Sequence, residues 1–72
     1  MTSPSLNDIL AIARKEVNSP TDAALFNGSL YCRCSHQQAQ RIRTTIEEAG
    51  DVSVQVSCEL GEEYVFDFVV DS

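Results

Sequence analysis

Residues 52 to 58 alternate without a fault, with Val52, Val54, Val56 and Cys58 on one side and Ser53, Gln55 and Ser57 on the other. A period of two over seven residues is the pattern of a strand with one buried face, and it excludes a helix there. A second run over 64 to 70 follows after Glu59-Leu60-Gly61, so the C-terminal third reads as an antiparallel hairpin. Gly61 suits the left-handed third position of a three-residue loop, which pairs Cys58 with Glu62 and Val56 with Tyr64. That register puts Tyr64, Phe66 and Phe68 beside the valines. A two-residue loop at Leu60-Gly61 would pair Val54 with Asp67 and bury a carboxylate among valines, at a cost of several kcal/mol.

Upstream the period changes. Ser5 and Asp8 form a capping-box start, with Ser3-Pro4 a competing start two residues earlier. Leu6, Ile9, Leu10, Ala13 and Val17 recur at helical spacing, which predicts an amphipathic helix over 5 to 17 that Ser19-Pro20 stops. From Ser29 a strand is expected, with Leu30, Cys32 and Cys34 facing one way and Tyr31 and Arg33 the other. Ser35 with Gln38 then caps a second helix, whose stripe of Ala39, Ile42, Ile46 and Ala49 faces the core and whose end is marked by Gly50 as a C′ glycine. The segment Thr21 to Gly28 has two readings. Ser19-Pro20-Thr21-Asp22 suits a short helical turn, whereas Asn27-Gly28 suits a hairpin; the poor strand propensity of Ala23-Ala24 favours the turn.

The expectation is an α+β domain spanning residues 1–72, in the order helix, strand, helix, strand, strand. A right-handed crossover makes the first two strands parallel, and the last strand, apolar on both faces, belongs between them. This predicts a three-stranded sheet of order 1-3-2 with the helices packed on one face. Its other face would show Tyr31, Arg33, Ser53, Gln55, Ser57, Val65, Asp67 and Val69, unless the N-terminal helix covers that side.

Charge is divided sharply along the chain. The first 43 residues hold all five cations and three acids, net +2, and the last 29 hold eight acids and no cation, net −8. Glu47, Glu48 and Asp51 fall at the end of the second helix, near Asp71 in the expected register, and Glu59, Glu62 and Glu63 at the hairpin tip, with Asp67 between them. Acids at a helix C-terminus oppose the macrodipole, by about 0.3 to 1 kcal/mol each. Such a surface suits a basic protein, including a nucleic-acid-binding complex, and repels nucleic acid itself. Tyr31, Val65 and Val69 would add apolar anchoring. The alternative is a homodimer or accessory subunit that associates through the same open face.

Cys32, Cys34, His36 and Cys58 invite a metal- or redox-responsive reading. However, C-x-C-x-H lacks the usual zinc-knuckle spacing, and inward strand cysteines are more often small apolar fillers. No cofactor is expected. Three cysteines cannot all pair within one chain, so reduced thiols are the default. His36, the only histidine, sits at a helix start with no Ser or Cys tied to it in a triad pattern, so no enzyme is expected. The apolar run Ile9 to Ala13 is cut by Arg14 and Lys15, too short for a membrane span or signal peptide, and a cytoplasmic chain is expected.

The segment Ser35-His36-Gln37-Gln38-Ala39-Gln40-Arg41-Ile42, set between a strand and an antiparallel hairpin, resembles the single-helix segment of some small phage-encoded anti-CRISPR proteins. The resemblance covers about a dozen residues. Size and acidity fit the same class. It implies an inhibitor of host defence that occupies the basic nucleic-acid channel of an effector complex. No functional residue is carried over from it, and the N-terminal helix and the three cysteines have no counterpart in that pattern.

Overall fold

The computed structural model describes residues 4–70. Its elements are α1 (Leu6–Glu16), a 3₁₀ turn (Pro20–Asp22), β1 (Ala23–Phe26), β2 (Ser29–Arg33), α2 (His36–Ala49), β3 (Val52–Leu60) and β4 (Glu63–Val70). The four strands form one antiparallel sheet in the order β1-β2-β4-β3. Asp71 and the alternative start at Ser3 lie outside the described residues.

Both helices begin at complete capping boxes. Asp8 N–H donates to Ser5 Oγ while Ser5 N–H donates to Asp8 Oδ2, both at 3.2 Å. In α2 the reciprocal bonds join Ser35 and Gln38, at 2.9 and 3.2 Å. Each box satisfies two of the four orphan donors of a helix start. The Gln38 amide also donates to the Glu16 carbonyl at 2.7 Å, so the start of α2 satisfies an acceptor at the end of α1. Arg14 and Lys15 occupy the last turn of α1, where cations favour the dipole. Gly50 caps α2 with φ 176°, in extended backbone and not in the left-handed geometry of a C′ glycine.

The expected three-stranded sheet of order 1-3-2 is not what forms, because residues 23 to 26 are a fourth strand. Asn27 and Gly28 both have positive φ, 51° and 79°, which is the type I′ pattern whose twist matches a hairpin. Phe26 therefore pairs with Ser29 and Ala23 with Cys32. The expected helical turn is confined to Pro20–Asp22. Weak alanine propensity is overridden because Ala23 is buried, 1% exposed, in the core shared with α1.

The β3–β4 register also differs from expectation. The turn has two residues, Gly61 and Glu62, and Leu60 pairs with Glu63. Gly61 takes φ 62° at the first central position, as a type II′ turn requires. A register shift between Val56 and Cys58 then absorbs Ser57 as a bulge. Below the bulge Val54 faces Phe68 and Gln55 faces Asp67, so the carboxylate stays out of the valine row. Above it every side chain changes face. Cys58, expected inward, instead pairs with Val65 and is exposed.

The core lies on the helix side of the sheet. Ile9, Ala13 and Val17 of the first helical segment join Ala39, Ile42 and Ile46 of α2 over Leu30, Cys32, Val52, Val54, Tyr64 and Phe66. The N-terminal helix thus shares a face with α2 and leaves the other face of the sheet open. Three residues expected inward are exposed: Leu6 at the start of α1, Ala49 at the end of α2, and Val56 on the edge strand. Among the described residues, no helix is long and apolar enough to cross a membrane.

The positive φ at Gly28 has a measurable cost. A Cβ there meets nothing within 4 Å, so Gly28→Ala tests backbone conformation alone. Urea denaturation should show a loss of about 1 kcal/mol with an unchanged m-value.

Candidate functional site

Two surfaces emerge from this frame. The first is the open face, where strand pairing lines up Ala24, Tyr31, Val65 and Cys58 across the four strands. On one side of that row Phe26 meets Tyr31 edge to face, with ring centroids 6.2 Å apart. On the other, Arg33, Glu63 and Leu60 form the next row. Val69, paired with Ser53, extends the face towards the far end of β4. Phe26 is 64% exposed and Leu60 71%, against 44% for Tyr31 and 46% for Val69, so the two residues that sequence reasoning missed are the most accessible apolar groups here. The Asn27-Gly28 signal between Leu25-Phe26 and Leu30-Tyr31 could have found Phe26. Nothing local in the sequence marks the bulge that turns Leu60 outward.

This face carries one ion pair and one carboxylate, Asp67, held by a neutral donor. The Arg33 guanidinium lies 3.4 Å from Glu63, and the Ser29 hydroxyl donates to half-buried Asp67. Ser57, in the bulge, donates to the Val65 carbonyl.

The second surface is acidic, and the structure divides it more finely than the sequence does. Glu47 accepts the backbone N–H of Val54 at 3.1 Å and lies 3.7 Å from Arg43, one turn earlier. Its place against the dipole is thereby compensated, since it satisfies a donor of edge strand β3. At the hairpin tip the bulge sends Glu59 and Glu63 to opposite faces. Glu59 pairs with Tyr64, accepts its hydroxyl at 3.4 Å and lies 3.7 Å from His36 Nδ1. Glu62 sits in the turn itself, and its backbone carbonyl accepts the Cys34 N–H at 2.8 Å. The tip is thus not one acidic patch. Arg41, meanwhile, reaches across to Glu16 of α1 at 3.5 Å. Among the described residues, the exposed acids with no cation at ion-pair distance are Glu48, Asp51 and Glu62, together with Asp8, which is used in the α1 capping box.

The cysteine and histidine constellation is not assembled. Cys32 and Cys34 are buried on the helix side while Cys58 is exposed on the open face, so the sheet stands between them. His36 hydrogen-bonds Gln40 at 3.1 Å and lies 3.5 Å from the Tyr64 hydroxyl. No group of three or more His, Cys, Asp or Glu among the described residues is placed to hold a metal. Burial pushes the Cys32 thiol from 9.0 up to about 12, with the neighbouring Cys34 adding to the effect. Cys34 is raised by burial and then by Glu62 and Asp22; Tyr64 is raised by burial and then by Glu59. These groups are held protonated, as inert packing elements rather than nucleophiles.

No family model, no curated protein and no solved structure matches this chain.

Two outcomes follow from the thiols. With a water-soluble thiol reagent, Cys58 should label in the native state at low protein concentration, and Cys32 and Cys34 only on unfolding. Because Cys32 is raised in the fold, its contribution to stability is complete below pH 9.0 and is lost as pH climbs towards about 12. Urea midpoints should hold steady up to that lower limit and fall beyond it, and Cys32→Ala should flatten the fall.

Proposed function

We propose that this chain is a small acidic protein-binding module that inhibits a partner by occupying its basic, nucleic-acid-binding surface. The observation that carries the reading is the surplus of acid left after the fold has matched its own charges. Glu47, Glu59 and Glu63 are engaged internally, whereas Glu48, Asp51 and Glu62 are exposed and unmatched. Glu48 and Asp51 add to the negative end of the α2 dipole, so the local field there is stronger than two carboxylates alone would make it. Carboxylates in such a field take the place of phosphates against guanidinium forks, through charge-assisted and bidentate hydrogen bonds. The net charge of −6 gives the same sign to long-range steering.

The resemblance of the first two turns of α2 to anti-CRISPR helices supports the inhibitory form of this reading, and a basic channel of an effector complex is the target it favours. The role is one of occupancy, with no catalytic step and no cofactor. Of the residues expected to contact a partner, the acids Glu48, Asp51 and Glu62 hold the leading place.

The test is capture of partners from a lysate of the native host, read by mass spectrometry. Captured proteins should be basic and nucleic-acid-binding, should be released by added RNA or DNA, and should weaken as salt rises. The triple variant Glu48→Gln, Asp51→Asn, Glu62→Gln should lose at least tenfold in affinity, or about 1.4 kcal/mol. Capture that ignores both salt and this variant would refute the reading.

A further inference from the structure

The sheet has two edges, and the fold treats them differently. β1, at one edge, is four residues long and follows directly on the 3₁₀ turn, so it offers little backbone to a further strand. β3, at the other, runs for nine residues. A long edge presents a row of backbone donors and acceptors on which another strand can pair. In an antiparallel ladder alternate residues turn both backbone groups to the same side, so Val52, Val54 and Val56 share one direction. That direction is outward, because the partner of the Val54 amide is the Glu47 carboxylate of α2.

We propose that Glu47 guards this edge: its carboxylate holds the place that the carbonyl of a further strand would take, and so keeps a second copy of the chain from pairing onto β3. Glu47 Oε2 lies 3.1 Å from the Val54 nitrogen. An incoming strand needs a carbonyl oxygen at about 2.9 Å from that same nitrogen, on the same side. With the place filled, the strand forgoes that bond and meets a negative charge. The carboxylate is held at both oxygens. Arg43, one turn earlier on α2, lies 3.7 Å from Glu47 Oε1, which leaves Oε2 for the amide.

The rest of the edge supports a guard at this point. The Val52 N–H, on the same side, is taken by the Gly50 carbonyl at 3.0 Å. Beyond Val56 the bulge at Ser57 breaks the register that a new strand would have to follow. The regular stretch of β3 is thus closed by groups of the chain itself at Val52 and Val54, and Glu47 is the side chain among them that a substitution can remove. Its position near the end of α2 opposes the helix dipole, a local cost that the protected edge offsets. Glu48, next in the chain, has the same charge but faces solvent, which makes it the matched control.

This inference stands apart from the proposed function, which draws on Glu48, Asp51 and Glu62. Amide hydrogen exchange and sedimentation velocity of the full chain test it together. In the unaltered chain the Val54 amide should exchange slowly at every protein concentration. In Glu47→Ala it should exchange about tenfold faster when dilute. It should then slow again as concentration rises and the mass grows from 7.9 kDa towards twice that value or more, because the strand of a second copy takes the vacated place. A role confined to stability would speed exchange without that recovery. Glu47→Gln, which keeps an acceptor oxygen, should behave as the unaltered chain does, and so should Glu48→Ala. If Glu47→Ala does not fold, Arg43→Ala decides, since it releases the carboxylate from its second anchor. Val54 exchange should then quicken several-fold, and self-association should exceed that of the unaltered chain at high concentration. Masses equal to that of the unaltered chain at all concentrations, in whichever of these two variants folds, would overturn the proposal. So would a Val54 amide that neither substitution affects.

Discussion

Burial of Phe66 organises this protein. It sits on β4, the interior strand flanked by β2 and β3, and it is fully buried with Leu30, Ile42 and Ile46. Each such side chain contributes about 1.5 to 3 kcal/mol by leaving water. A chain of this size buries only about 60% of its unfolded surface, so it has no second core to fall back on. The pairing of Leu30 with Phe66 sets β2 against β4, and α2 closes over both through Ile42 and Ile46. Tyr64, stacked near Phe66 with centroids 6.1 Å apart, carries the packing towards the hairpin tip, where its hydroxyl meets Glu59.

Once that core is set, charge is sorted around it. Arg33, Arg41 and Arg43 each meet an acid of the chain, and Glu47 is drawn in to satisfy the edge of β3. Asp67 stays on the open face, held by the Ser29 hydroxyl, whereas Glu48, Asp51 and Glu62 lie on α2, in the loop after it and in the hairpin turn. The two surfaces therefore obey different physics. Carboxylates on the acidic one act through a field that salt screens, and exposed apolar side chains on the other through the area they leave in water. A single small domain can carry both because a sheet with helices on one side leaves its other side exposed.

Much of this frame was legible in the chain. Ser5 with Asp8 and Ser35 with Gln38 name the helix starts, because capping is a local hydrogen-bond problem solved within four residues. The alternation from Val52 likewise names β3 and, below the bulge, its buried face. Reading failed where local signals disagreed. Ala23-Ala24 argued against a strand while Asn27-Gly28 argued for a hairpin, and pairing to β2 decided the matter. The tip register failed for a related reason. A three-residue loop and a two-residue turn with a bulge both keep the valines inward, so the hydrophobic pattern alone does not distinguish them.

The sequence by itself determined the two helices, the C-terminal hairpin and the one-signed charge of the last 29 residues. Periodicity, capping and composition act over a few residues, and those residues are enough to specify them. The tertiary structure decided which acids remain unmatched and which apolar groups remain uncovered. Glu47 and Glu48 are neighbours in the chain, yet one satisfies the Val54 amide and the other faces solvent. Cys58 and Val54 share one alternating run, yet the bulge at Ser57 puts them on opposite faces. Distinctions of that kind depend on partners tens of residues away, and only the assembled sheet brings those partners into contact.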